Sequence, residues 1–223
     1  MPALSVALLN LKPGTGKTTS ALWLAHIFAE AGQHVLLVDA DPSGSALEWS
    51  DLAAMDPRLP PMVAFSFGIV ALPSHRLHLR VPEIAHADDV VVIDAPQLED
   101  HSGIARSVMQ YVDEILIRVH LAPSRSITPR RYATRSPNSE SSGTSRPRPA
   151  VLLTRCIARA PSTANAREAL EGLGYDVLRT AAPRLEVYAQ SFGLPIPETG
   201  RGVLRDVAGD LIERCIPLGR VQS

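Results

Sequence analysis

Lysine is almost missing from this chain of 223 residues. Only Lys12 and Lys17 occur, so arginine supplies the other 20 of its 22 basic side chains. Cysteine is nearly as scarce. Cys156 and Cys215 are too few for a disulfide framework and lack metal-ligand spacing, so both are expected to be small packing residues. No run of 18 apolar residues is present, and no basic–apolar–small leader opens the chain, which predicts a soluble, cytoplasmic protein without a membrane role. The formal net charge is −1, too small for an overall field that would attract nucleic acid. The length suits one domain with a real core, and we take 1–223 as that single domain.

Both lysines fall in one eight-residue stretch, Lys12-Pro13-Gly14-Thr15-Gly16-Lys17-Thr18-Thr19. A flexible ammonium fits inside a closed phosphate cradle better than the planar fork of arginine. Gly14 to Thr18 reads G-T-G-K-T, the second half of a phosphate-binding loop, although Leu11 stands where the full pattern has glycine. The context agrees. The apolar run Leu4–Asn10 predicts a buried strand before the loop, and Ala21, Leu22, Leu24, Ala25, Ile27 and Phe28 recur at helical spacing up to Gly32 after it. Strand, glycine loop and helix then present backbone N–H groups to a polyphosphate. In that arrangement Lys17 reaches the terminal phosphates and the Thr18 hydroxyl meets Mg²⁺.

Two further strands end in acids. Val35–Val38 leads into Asp39-Ala40-Asp41-Pro42, and Val90–Ile93 leads into Asp94-Ala95-Pro96. Ligands of open α/β sheets bind at such strand ends. Alternating strand and helix patterns predict a three-layer α/β/α fold with a mostly parallel twisted sheet flanked by helices.

The stretch Lys12 to Thr18 resembles the deviant loop of ParA/MinD-type ATPases, K-G-G-x-G-K-[T/S], with Pro13 in place of a glycine. Asp39-Ala40-Asp41-Pro42 is similar to the D-x-D-P segment of that family, and Asp94-Ala95-Pro96 to its Walker B region. The resemblance implies a P-loop NTPase fold of the SIMIBI type, with ATP and Mg²⁺ as cofactors. It implies nucleotide contacts from Lys12, Gly14, Thr15, Gly16, Lys17, Thr18 and Thr19, and a metal shell involving Thr18, Asp39 and Asp94. Lys12 and Asp41 become the catalytic pair: Lys12 reaches across an ATP-bound homodimer, and Asp41 orients the attacking water. The family function is partition of a plasmid or chromosome, or positioning of other cargo, stimulated by a ParB-like adaptor. By analogy Arg184, Arg201, Arg205 and Arg214 would contact DNA non-specifically, giving a nucleoid-associated protein. Iron–sulfur relatives of the same fold are excluded by the cysteine positions. The alternatives are a P-loop small-molecule ligase or kinase, and a nucleotide-binding switch that does not hydrolyse.

The likeness covers roughly 3–123 and 150–214. Between them, 124–149 carries seven Ser, six Arg and four Pro and has no helical apolar stripe. It is either a disordered insert, a basic nucleic-acid-binding tract, or a helix lost to a compensated reading-frame disturbance. Thr154 stands where the family has an adenine-contacting Asn. Toward the end, Val203, Leu204, Val207, Ala208, Leu211 and Ile212 form one face of a helix expected to dock on the sheet. Its few basic residues do not make a membrane-targeting helix.

Overall fold

Strands buried on both faces have to read as nearly unbroken apolar runs, and those are the strands found at the middle of the sheet. The computed structural model describes residues 2–10, 14–57, 65–86, 89–121, 147–157 and 160–215. Seven strands are β1 (Leu4–Leu8), β2 (Val35–Asp39), β3 (Gly68–Ala71), β4 (Val90–Asp94), β5 (Glu114–His120), β6 (Arg148–Cys156) and β7 (Val177–Pro183). They form one sheet in the order β3-β2-β4-β1-β5-β6-β7, with every pairing parallel. The helices are α1 (Lys17–Glu30), α2 (Ser45–Ala54), α3 (Leu77–Ile84), α4 (Ser102–Tyr111), α5 (Pro161–Gly172), α6 (Glu186–Gln190) and α7 (Arg201–Cys215). The expected three-layer α/β/α fold is what the chain adopts.

The two-residue period of the strands divides the core. Leu4, Val6 and Leu8 of β1, with Val90 and Val92 of β4 and Leu116 of β5, pack with α1, α2 and α7. The intervening Ala7, Val91, Ile93, Ile115 and Ile117 pack with α3 and α4. β1 therefore leads to a helix on one face and its neighbour β4 to a helix on the other. Connections diverge between these two strands, and such a switch point opens a crevice at the carboxyl ends.

Most element boundaries agree with the sequence patterns, and the departures have local causes. The apolar run from Val63 to Val70 reads as a strand in sequence but yields β3 only from Gly68; 63 and 64 lie outside the described residues. β6 begins at Arg148, so the last two residues of the expected 124–149 insert are strand, while 122–146 lie outside the described residues. β7 extends to Pro183, beyond the short strand read up to Leu178. The C-terminal helix docks as expected, burying Leu204, Val207, Ala208 and Leu211, and Cys156 and Cys215 are buried free thiols.

Arg148 enters β6 for an electrostatic reason. Glu114, at the start of β5, is fully buried, and it is met by Arg148 from the neighbouring strand and by Arg214 from the last turn of α7. Arg214 also pairs with Asp176, just before β7. One carboxylate thus pins two strands and the final helix at the end of the sheet remote from the loop. Removing one member of a buried ion group strands the others. Glu114→Ala should therefore cost about 3–5 kcal/mol, or roughly 10 °C in melting temperature. A melting temperature within about 2 °C of the parent would show that the arginines find water instead.

Candidate functional site

Strand register brings the functional residues together. Leu8 of β1 pairs with Asp94 of β4, and Asp94 pairs in turn with Asp39 of β2. The glycine loop leaving β1 and the two acid-bearing segments therefore depart at one level. Gly14 and Gly16 have φ of 67° and 75°, the left-handed region that a side chain resists. Gly16 directly precedes α1, so Lys17, Thr18 and Thr19 occupy its first turn, where backbone N–H groups have no helical acceptor. Lys17 is itself buried, at 7% exposure. Lys12, with Leu11 and Pro13, lies outside the described residues.

The acids create a charge imbalance. Burial pushes the Asp94 carboxyl up to about 7, and Asp39 and Asp41 push it in the same direction. The Thr18 hydroxyl and Lys17 oppose the shift, yet neither Asp94 oxygen has a well-formed hydrogen bond. Asp39 is raised as well, by burial first, against backbone hydrogen bonds led by Leu47 and Ala46. Its Oδ2 accepts the amides of Ala46 (3.0 Å) and Leu47 (3.1 Å), anchoring the N-terminus of α2, while Oδ1 is buried without a partner. That anchoring was invisible in the sequence, because the two residues are separated by the turn at Pro42-Ser43-Gly44. Asp41 accepts the Ser43 amide at 3.0 Å and remains at the surface of the site. Among the described residues no cluster of three or more His, Cys, Asp or Glu could hold a metal alone. The orphaned oxygens beside a Thr hydroxyl nevertheless fit Mg²⁺, which takes few protein ligands and keeps water and phosphate oxygens around it.

Beside the loop lies a cleft of about 460 Å³, whose lining includes Gly14, Thr15, Gly16, Thr19, Arg118, His120, Thr154, Arg155, Arg184 and Tyr188. Three of these were not singled out by sequence reasoning. Arg118 and His120 belong to β5, where the sequence pattern reads only as a strand over Glu114 to Val119. The available signal was a basic residue interrupting the aliphatic run Ile115-Leu116-Ile117. Asn10, two residues beyond β1, fixes this segment: its side chain donates to the Arg118 carbonyl at 2.9 Å and accepts the Arg118 amide at 3.2 Å. Arg118 in turn donates to the Gly16 carbonyl, and a Cβ at Gly16 would collide with its guanidinium. Of the arginines expected at DNA, only Arg184 faces the cleft. Arg201 and Arg205 pair with Glu30 of α1, with Arg205 still 52% exposed, and Arg214 pairs with Glu114 and Asp176.

His120 links loop and sheet. Its Nδ1 lies 2.7 Å from the Thr154 hydroxyl, and the Gly14 carbonyl is close by. Burial, with Arg118 and Arg155 behind it, lowers its pKa from the usual 6.5 to about 4. The folded form therefore binds this proton less readily than the unfolded chain. Stability must fall as pH drops from about 6.5 towards about 4. Half-buried His26 is lowered too, by burial first, and adds a loss of the same sign. His120→Gln should hence reduce, without abolishing, the drop in melting temperature between pH 7.5 and pH 5. An unchanged drop would mean that His120 is hydrated and does not contribute.

A model of the CobQ/CobB/MinD/ParA nucleotide binding domain matches residues 6–179. The chain is 36% identical over 118 residues to the Maintenance of carboxysome distribution protein A of Gloeobacter kilaueensis, covering 53% of this chain and 50% of that relative. Over 41 residues it is 56% identical to the chromosome-partitioning ATPase Soj of Thermus thermophilus, covering 18% of this chain and 16% of Soj. Similar solved structures include cobyrinic acid a,c-diamide synthase from Mycobacterium smegmatis with an ATP analog and magnesium (TM-score 0.70, 17% identity, 95% of each chain). Apo McdA from Cyanthece is also alike (TM-score 0.69, 16% identity, 97% of this chain and 100% of that one). At these identities the structures speak for the fold alone, and the matched stretch spans about half of the carboxysome relative. The chain belongs to the CobQ/CobB/MinD/ParA nucleotide-binding family, as a ParA/MinD-type P-loop ATPase domain.

Proposed function

We propose that this chain positions or partitions a cargo by binding ATP with Mg²⁺, pairing with a second copy, and hydrolysing the nucleotide under stimulation by an adaptor. The observation that carries the reading is the convergence of the Gly16-Lys17-Thr18 turn with buried, under-compensated Asp39 and Asp94. Two relatives named for carboxysome distribution and chromosome partitioning support cargo positioning rather than synthesis. Cargo and adaptor are assigned here only by class, the adaptor as a ParB-like protein. The ATP-bound dimer would hold non-specific DNA, with the exposed Arg184 and Arg205 as candidates.

In this mechanism the first-turn amides of α1 and the Lys17 ammonium hold the β- and γ-phosphates, with Gly14, Thr15 and Thr19 completing the cradle. Thr18 and Asp94 hold Mg²⁺, with Asp39 beside them. The ion when bound neutralises phosphate charge and reverses the cost of keeping Asp94 ionised. Asp41, set by its turn to Ser43, positions the attacking water. Lys12 of the opposing copy stabilises charge that develops on the transferred phosphoryl group. No helix among the described residues is long and apolar enough to cross a membrane.

The test combines mass and turnover. With saturating ATP and Mg²⁺ the parent chain should shift from monomer to dimer by light scattering, and Lys12→Ala should lower ATP turnover by roughly 10³–10⁵-fold, the order expected for a cation supplied in trans. DNA and a cognate adaptor together should raise parental turnover. A chain that stays monomeric with ATP, or a Lys12→Ala variant with parental turnover, would overturn the reading.

A further inference from the structure

Two arginines in the cleft have no role in the loop chemistry described above. Arg118 is largely buried, and apart from its bond to Gly16 its Nε has no partner. A buried guanidinium normally sits against a carboxylate. The groups that act on Arg118 are Arg155 and Tyr188, and neither is an acid at neutral pH. Arg155 is placed by a different irregularity. It is the one non-glycine residue with positive φ (58°) among the described residues. It also sits between Thr154 and Cys156, where the pairing of β6 with β7 shifts register. A bulge beside a site re-aims a side chain, and strained backbone of this kind persists only where its surroundings hold it. Both side chains line the cleft with His120 and Arg184, against one acid, Glu186. Like charges gathered in a partly enclosed space call for an anion.

We infer that Arg118 and Arg155 form an anion clamp, supplied by the same subunit, that grips the phosphate chain of the bound nucleotide from the cleft side. The inference deepens the nucleotide-binding reading and rests on it. Arg118 stands directly beneath Gly16, and Thr19 lines the same cleft one residue beyond Lys17 and Thr18. A phosphate seated on the loop therefore lies next to Arg118, with Arg155 lining the same cleft. Lys17 holds the nucleotide as a mobile point charge; the arginines hold it by fixed forks. The arrangement also explains how β5 accommodates a basic residue in an otherwise aliphatic run: the ligand supplies the missing counter-charge.

The experiment is calorimetric titration of ADP into the parent chain and into Arg118→Met, Arg155→Ala and Lys17→Ala, with apo melting temperatures of each. Arg118→Met and Arg155→Ala should each weaken ADP by about 10–100-fold, the range for a charge-assisted contact. Apo Arg118→Met should melt at or above the parental temperature, because a buried charge without a counter-ion has been removed. If either arginine variant binds ADP within about twofold of the parent, the clamp is overturned. If Arg118→Met melts clearly lower, its lost affinity is counted as structural, and the exposed Arg155→Ala decides alone. Parental affinity in Lys17→Ala would sink the nucleotide reading itself, a result distinct from failure of the clamp.

Discussion

Two carboxylates with no exposed surface, Asp39 and Asp94, face one buried ammonium, Lys17, and that imbalance organises the upper end of the sheet. It exists because register leaves no choice. The parallel ladders align Leu8, Asp94 and Asp39, so the loop after β1 and the acids that end β4 and β2 must meet. An isolated cluster of this kind would be a liability, since burial, with Asp39 and Asp41 adding to it, raises Asp94 to about 7. It becomes an asset once a polyphosphate and a divalent cation supply the missing charges. The apo fold stores an unfavourable arrangement that its ligands relieve.

The opposite end of the sheet shows the contrasting solution. Glu114 is as buried as Asp94, and burial raises its carboxyl too, yet Arg148 and Arg214 oppose that shift by pairing with it from two separate elements. The same strand, β5, thus carries a compensated acid at its start and an uncompensated base, Arg118, near its end. Structural ion groups close on themselves, whereas functional ones are left open toward a cleft. This difference separates α7, which spends Arg214 on stability, from the cleft, which keeps Arg118, Arg155 and Arg184.

Much of this was legible in the residues. The strand–glycine–helix order at Leu4–Glu30, the acids ending β2 and β4, and the docking face of α7 all follow from local patterns of apolar spacing and turn residues. What could not be read were relations between distant segments. Asp39 as the anchor of α2, Asn10 holding β5, and Arg148 completing the Glu114 group depend on which strands become neighbours. The ion pairs of the arginines near the C-terminus were hidden for the same reason: a surface charge and one half of an ion pair look identical until the partner is placed. Lys12 belongs to neither group, because its expected role lies toward a second copy of the chain.

The most direct measurement is hydrogen–deuterium exchange with and without ATP and Mg²⁺. Slowed exchange should concentrate in peptides covering 14–20, 39–47 and 94–98, the three segments that leave the aligned strand ends. Protection elsewhere, or none in those three, would contradict the claim that their shared charge imbalance is the ligand site.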